Sequence, residues 1–354
     1  MNTSKLNVLD TTPKETILPS PQPQWQTELS DVVENLAELC QLLRLDPADA
    51  PWPLDFDNSF PLRLPRSLVQ RMPKSDWYSP LLLQYLPLLA EQNLVPEFST
   101  DPVGDTSANL FSGVLHKYHG RILLLLTGRC AVHCRYCFRR HFAYNESPLD
   151  SKAIQVALRY VEENPQIKEI IFSGGDPLLV KDGHLKKIIN QLNALPHVRR
   201  IRIHTRLPVV LPSRITQTLV ETLQFSRAKI VIVIHSNHAS ELDTPVNQAL
   251  QQLHRSGFQL FNQAVLLKNI NDQVKDQVQL SETLFENSVL PYYLHRLDRV
   301  QGAAHFALEE REIDALYQQL QAVLPGYLVP KLVTEVAGEP HKILWQDTHF
   351  KVVT

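Results

Sequence analysis

The chain predicts an α/β fold, an incomplete parallel barrel of six βα units preceded by a helical region. Three observations point there. From Arg121 onward, short apolar runs alternate with amphipathic helical stretches, the pattern of strands and helices taken in turn. The candidate strands begin near Arg121, Lys168, Arg199, Lys229, Gln259 and Val289, and after the first interval their starts lie about 30 residues apart, one βα unit each. Each strand carries polar groups at or near its end, where a parallel barrel builds its active site. A doubly wound open sheet has the same local pattern and stays as the alternative.

Taken in order, residues 1–24 hold Pro13, Pro19, Pro21 and Pro23 among mostly polar residues. Such a stretch cannot bury enough apolar surface to offset ordering the chain, so it reads as a flexible tail. Residues 25–115 read as a helical N-terminal region. One helix closes before Pro47, and Leu81, Leu82, Leu83, Tyr85, Leu86 and Leu89 suggest another that Pro87 should kink or interrupt. Cys40 stands at helical spacing with Leu36, Leu39 and Leu43 and reads as a small core residue. Residues 116–325 hold the barrel, and 326–354 form a C-terminal segment.

The first strand, Ile122 to Leu126, delivers the loop Thr127 to Cys137, which concentrates three of the four cysteines, Cys130, Cys134 and Cys137. The C-x3-C-x2-C spacing offers three thiolates and no fourth, so a four-iron, four-sulfur (4Fe-4S) cluster held here keeps one iron without a protein ligand. A structural zinc site completed by His141 is the rival. The second strand runs into Ser173-Gly174-Gly175-Asp176-Pro177, whose glycines would let a ligand approach the backbone, or would merely serve a turn. The third ends in His204-Thr205-Arg206, the fourth in His235-Ser236-Asn237-His238, and the sixth in His295-Arg296-Leu297-Asp298, while the fifth carries Asn262 and Gln263. Singly, the histidines could be hydrogen-bonded interior residues, and Arg200, Arg202 and Arg206 a solvated strand face.

A net charge of −2 gives no electrostatic case for nucleic acid. No apolar stretch approaches the roughly 20 residues that span a bilayer, and the polar start lacks a signal segment. The expected location is the cytoplasm, where thiols stay reduced.

The cysteine loop, with Tyr136 just before its last cysteine, resembles that of the radical S-adenosylmethionine enzymes. The resemblance implies a partial (β/α)6 radical SAM barrel, a 4Fe-4S cluster on Cys130, Cys134 and Cys137, and S-adenosylmethionine chelating the open iron. It also implies that Gly174 and Gly175, with Asp176 adjoining, lie at the cofactor's methionine moiety. Three further segments narrow the likeness to the lysine 2,3-aminomutase family: Phe138-Arg139-Arg140-His141-Phe142, Pro291 to Asp298 continuing to Gly302-Ala303-Ala304-His305-Phe306, and Val329 to Lys342.

That family combines the cluster, S-adenosylmethionine and pyridoxal 5′-phosphate (PLP) to move an amino group from the α to the β carbon of free lysine. Both cofactors are needed because the β hydrogen is not acidic and must leave as an atom, and because the migrating nitrogen needs a π system. The resemblance aligns the Schiff-base lysine with Lys342 in the C-terminal segment, with Lys331 and Lys268 as competitors. It assigns Lys117 and Arg121 to the PLP phosphate, Tyr118 to its ring, and His235 and Gln263 to S-adenosylmethionine. Arg139 would meet the substrate carboxylate, and Asp298 with Glu335 its distant ammonium. Two departures stand out: Gly338-Glu339-Pro340-His341 is less glycine-rich than the family motif, and Glu335 replaces the usual aspartate. No cysteine follows Cys137, as in the shorter branch, whose (R)-β-lysine is attached to elongation factor P by a partner ligase. An aminomutase for another amino acid, and a zinc-stabilised binding protein without turnover, are the other functions weighed; homo-oligomerisation is left open.

Overall fold

The computed structural model describes residues 23–57, 60–111, 113–143 and 151–348. The tail expected over 1–24 lies outside these, except for Pro23 and Gln24. Within them, ten strands form one sheet whose spatial order follows chain order. β1 (Asn109–Phe111), β2 (Val114–Tyr118) and β3 (Arg121–Thr127) make an antiparallel meander. From β3 the pairing is parallel through β4 (Glu169–Gly174), β5 (Arg200–Thr205), β6 (Lys229–His235), β7 (Gln259–Val265), β8 (Leu290–His295) and β9 (Lys331–Thr334). β10 (Ile343–Leu344) ends the sheet antiparallel to β9.

The helices Ser151–Glu163, Asp182–Asn193, Gln217–Gln224, Thr244–Arg255, Val274–Glu286 and Glu310–Val323 each connect one parallel strand to the next. Because the strand order never reverses, the sheet has no switch point, which a doubly wound fold requires. It curls instead. Lys117 on β2 and Glu335 just after β9 meet at 3.0 Å, although they come from opposite ends of the sheet. The first six parallel strands start within one residue of their expected positions. β9 is a seventh, and at four residues it is too short to show a period of its own.

Period-two alternation decides what the lumen contains. On β5, Ile201 and Ile203 are fully buried against the helices, while Arg202 and His204 line the interior cavity. Burying each isoleucine is worth about 1.5–3 kcal/mol. Only part of the solvated-face alternative therefore survives. Arg200 is exposed, whereas Arg202 pairs with Glu169 at 3.0 Å and Arg206 is buried in a polar network.

The N-terminal region is built from short elements. The helix Leu36–Leu43 starts at Asn35, whose side chain accepts the Glu38 N–H, and ends at Arg44 in the left-handed region with φ 55°. Cys40 is buried in the core and free. The helix Pro80–Leu83 stops four residues short of Pro87, whose ring would collide with the Leu83 carbonyl.

This region grips the cysteine loop. The Arg135 guanidinium donates to both Glu91 oxygens at 2.8 and 2.6 Å and to the Phe60 carbonyl at 2.7 Å. Arg140 adds a 2.8 Å bond to the same Glu91. His133 donates to the Pro61 carbonyl at 2.8 Å, and the Arg135 N–H to the Gln84 carbonyl at 3.0 Å. Gly302, whose carbonyl accepts from Arg140 Nη1 at 3.1 Å, has φ +90°, which favours glycine. No helix among the described residues is long and apolar enough to cross a membrane.

Candidate active site

A cavity of ≈ 860 Å³ opens at the C-terminal ends of β3 to β9 and runs down the lumen. Every candidate cofactor, substrate and metal residue of the sequence lines it: Cys130, Cys134, Cys137, Gly174, Gly175, Asp176, His235, Gln263, Lys117, Tyr118, Arg121, Arg139, Asp298, Glu335 and Lys342. Lys331 lines it too, from the N-terminal start of β9, whereas Lys268 is an exposed residue away from it.

At the cysteine end, all three thiols are free. Burial raises the Cys130 thiol, and burial together with Cys134 pushes Cys137 up to about 11, so these thiols stay neutral until a metal takes their protons. His141, the fourth ligand that a zinc site would need, donates through Nε2 to the Gln301 carbonyl at 3.0 Å. Among the described residues no three His, Cys, Asp or Glu side chains converge as they would on a single ion. Three sulfur donors on one loop beside an open cavity suit a 4Fe-4S cluster.

The glycine pair has a second cause besides the ligand approach expected of it. A Cβ on Gly174 would lie 2.3 Å from the Thr127 carbonyl oxygen, and one on Gly175 2.2 Å from that of Arg129. Gly174 also has φ +126°, which favours glycine. The bonds Gly175 N–H to Thr127 O at 2.6 Å and Asp176 N–H to Arg129 O at 2.8 Å lock the turn onto the cysteine loop. The Asp176 carboxylate accepts from Thr205 Oγ1 at 2.8 Å, Arg206 N at 2.7 Å and Leu178 N at 3.1 Å. Burial pushes its pKa up to about 6 despite these donors.

Midway along the cavity, Gln263 donates to His235 Nε2 at 2.9 Å. Burial takes the His235 pKa down to about 3 and those of His204 and His295 well below the usual range, so all three rings are neutral at pH 7. The Nε2 atoms of His204 and His295 are buried without a hydrogen-bond partner. Buried polar atoms left unpaired in a lined cavity mark where a polar ligand completes the set.

Another part of the lining is dense with charge of both signs. Lys117 Nζ contacts Asp105 at 2.5 Å, Glu335 at 3.0 Å and the Val103 carbonyl at 2.8 Å. Arg139 donates to Asp105 at 2.6 Å and to Ser173 Oγ at 3.2 Å. Lys342 Nζ pairs with the second oxygen of Glu335. Burial alone would raise the Glu335 carboxyl, but Lys342 and Lys117 outweigh it and hold it well below the ordinary range. Asp298 has no such pairing strength around it, and burial with the repulsion of Glu335 pushes it up to about 7. The Arg121 guanidinium lies 4.6 Å from the centre of the Tyr118 ring. An amine on Lys342, two cations at Lys117 and Arg121, and an aromatic face fit a phosphorylated pyridine aldehyde. Sequence reasoning missed Asp105, which organises Lys117 and Arg139; its approach to them depends on long-range folding.

These features define a class: three thiols on the loop after the first parallel strand of an open barrel, facing a lined lumen. Residues 124–229 match the family model described as the Radical SAM superfamily. The chain is 47% identical over 319 residues to the L-lysine 2,3-aminomutase of Escherichia coli, covering 90% of this chain and 93% of that one. It is 42% identical over 335 residues to that of Haemophilus influenzae, covering 95% and 99%. With that of Clostridium subterminale it shares 31% over 315 residues, covering 89% and 76%. The chain belongs to the lysine 2,3-aminomutase family of radical S-adenosylmethionine enzymes, which are isomerases. Membership implies a 4Fe-4S cluster and S-adenosylmethionine through the superfamily, and PLP through the aminomutases.

Proposed function

We propose that this chain converts L-α-lysine to (R)-β-lysine, with the cluster on Cys130, Cys134 and Cys137 and PLP on Lys342. The observation that carries this reading is one cavity lined both by the cysteine trio and by the Lys342–Glu335–Lys117 cluster with Asp298. The bound cofactors supply a carbon-centred radical and a π system, and the protein's own groups orient lysine between them. Gly174, Gly175, Asp176, His235 and Gln263 form the S-adenosylmethionine side. Lys117 and Arg121 take the PLP phosphate, with Tyr118 against the ring. Arg139 holds the substrate carboxylate through its guanidinium fork, and Asp298 with Glu335 takes the ε-ammonium. The neutral histidines and the apolar strand faces keep bulk water from the reacting atoms.

Anaerobically reconstituted protein given S-adenosylmethionine, PLP, reductant and a panel of amino acids should form β-lysine from lysine and little product from glutamate, whose side-chain carboxylate Asp298 and Glu335 would repel. Absence of β-lysine with all three cofactors verified would overturn the assignment; preferred turnover of glutamate would replace the substrate.

Asp298 makes the substrate step pH-dependent. Burial first, then the repulsion of Glu335, raises its pKa from the ordinary carboxylate range to about 7, so the group is neutral below about pH 7 and ionised above it. Lysine's ammonium selects the ionised form, hence kcat/KM should fall about tenfold per pH unit below 7. Asp298→Asn should lose that limb and run about 100-fold lower at pH 8, within the about 1.5–3 kcal/mol of a hydrogen bond to a charged group. A retained limb in Asp298→Asn would assign it to another group.

The supply of (R)-β-lysine for modification of elongation factor P by a partner ligase is supported by branch: the chain is 47% and 42% identical to the Escherichia coli and Haemophilus influenzae relatives, against 31% for the clostridial one. A cytoplasmic setting agrees with three free thiols lining a cavity.

A further inference from the structure

Arg206, the residue after β5, contributes to the cysteine loop in a way that neither the cofactor assignments nor the substrate assignments use. It is 7% exposed. Its Nη1 donates to Cys134 Sγ at 2.8 Å and to the Tyr136 hydroxyl. Its Nη2 donates to Gln84 Oε1 at 2.5 Å and to Glu241 Oε2 at 2.7 Å. The guanidinium lies 5.1 Å from the centre of the Tyr85 ring, and the backbone N–H of the same residue holds Asp176 at 2.7 Å. Glu241 is itself fixed, accepting the Asn237 and His238 N–H groups at 2.6 and 3.0 Å on its other oxygen.

A guanidinium tied on this many sides cannot swing away when the cysteines take up metal, so its N–H stays aimed at one ligand sulfur. From this we infer that Arg206 is a positioning residue that raises the reduction potential of the cluster through a charged N–H···S bond to Cys134. The sign follows from electrostatics. An added electron makes the cluster and its sulfurs more negative, and a hydrogen-bond donor carrying positive charge stabilises that state more than the oxidised one. Glu241 offsets part of the charge, but it bonds Nη2 while Nη1 meets the sulfur, so the cation is the nearer charge there. Outer-shell donors to metal ligands commonly act in this way. A purely structural Arg206, bridging Gln84 of the N-terminal region to the barrel, would leave the potential unmoved.

The inference rests on the cysteines being cluster ligands, and the two ideas fail separately. Iron and sulfide content with the low-temperature electron paramagnetic resonance signal of the reduced wild-type protein tests the ligand assignment. Redox titration of the reconstituted protein with dithionite then tests Arg206. In the double variant Arg206→Gln with Glu241→Gln, which removes both charges together, the reduced-to-oxidised ratio at the wild-type midpoint should fall about tenfold, or 59 mV for one electron. Arg206→Lys keeps the charge but cannot span both partners, so its ratio should fall less. An unchanged ratio in either variant with wild-type cluster content would overturn the inference. Loss of the cluster from a variant whose apoprotein keeps its Tm would extend the support role, whereas unfolding of both variants would assign Arg206 to stability alone and overturn it equally.

Discussion

Cys134→Ala is expected to take β-lysine formation to the detection limit and to leave the reconstituted protein with little iron or sulfide. Losing an outer-shell partner of a metal ligand costs about 10–100-fold, and removing the ligand itself must cost more. Two features of this site enlarge the effect. The loop offers no substitute thiol, since Cys130 and Cys137 are the other two proposed ligands and Cys40 is buried in the N-terminal core. Cys134 is also the sulfur that Arg206 contacts, so its loss leaves part of a buried guanidinium without its partner. Cys40→Ala is the control, because that thiol sits in the N-terminal core and its loss costs packing alone. Wild-type turnover in Cys134→Ala, or loss of the cluster from a folded Cys40→Ala, would contradict the assignment of the trio.

Much of this molecule was legible because its signals are local. Each parallel strand announces itself by an apolar run, and the regular βα spacing fixes where the next begins. The polar ends of the strands could be recognised without knowing the curvature, since any parallel barrel gathers those ends at one mouth. What could not be read depends on contacts distant in sequence. Asp105 is separated by 34 residues from Arg139, Glu91 by 44 from Arg135, and Cys134 by 72 from Arg206. None of these pairs leaves a pattern along the chain. The glycine pair shows a subtler limit: glycine signals close approach, but only the coordinates show that the cysteine loop itself presses on Gly174 and Gly175. The function of the N-terminal region was likewise open in the sequence, and Glu91, Gln84 and Pro61 now tie it to the cysteine loop.

Lys342→Ala should be as severe as loss of the cluster, and Lys342→Arg should be just as inactive. The pair separates two jobs of one side chain. Lys342 neutralises Glu335 together with Lys117, and an arginine can keep that ion pair. Only an amine can bond covalently to the aldehyde of PLP, and a guanidinium, which stays protonated, cannot. If charge alone mattered, arginine would restore turnover; if the covalent link matters, it will not, although the protein should stay folded and keep its cluster. Borohydride reduction of the PLP-loaded wild type followed by peptide mapping gives the direct check, with the label expected on Lys342. Of the competitors, Lys331 lines the same cavity and is exposed, whereas Lys268 does not line it. Label on Lys331 would move the covalent link to the start of β9, and turnover by Lys342→Arg would show that no covalent link through this residue is needed.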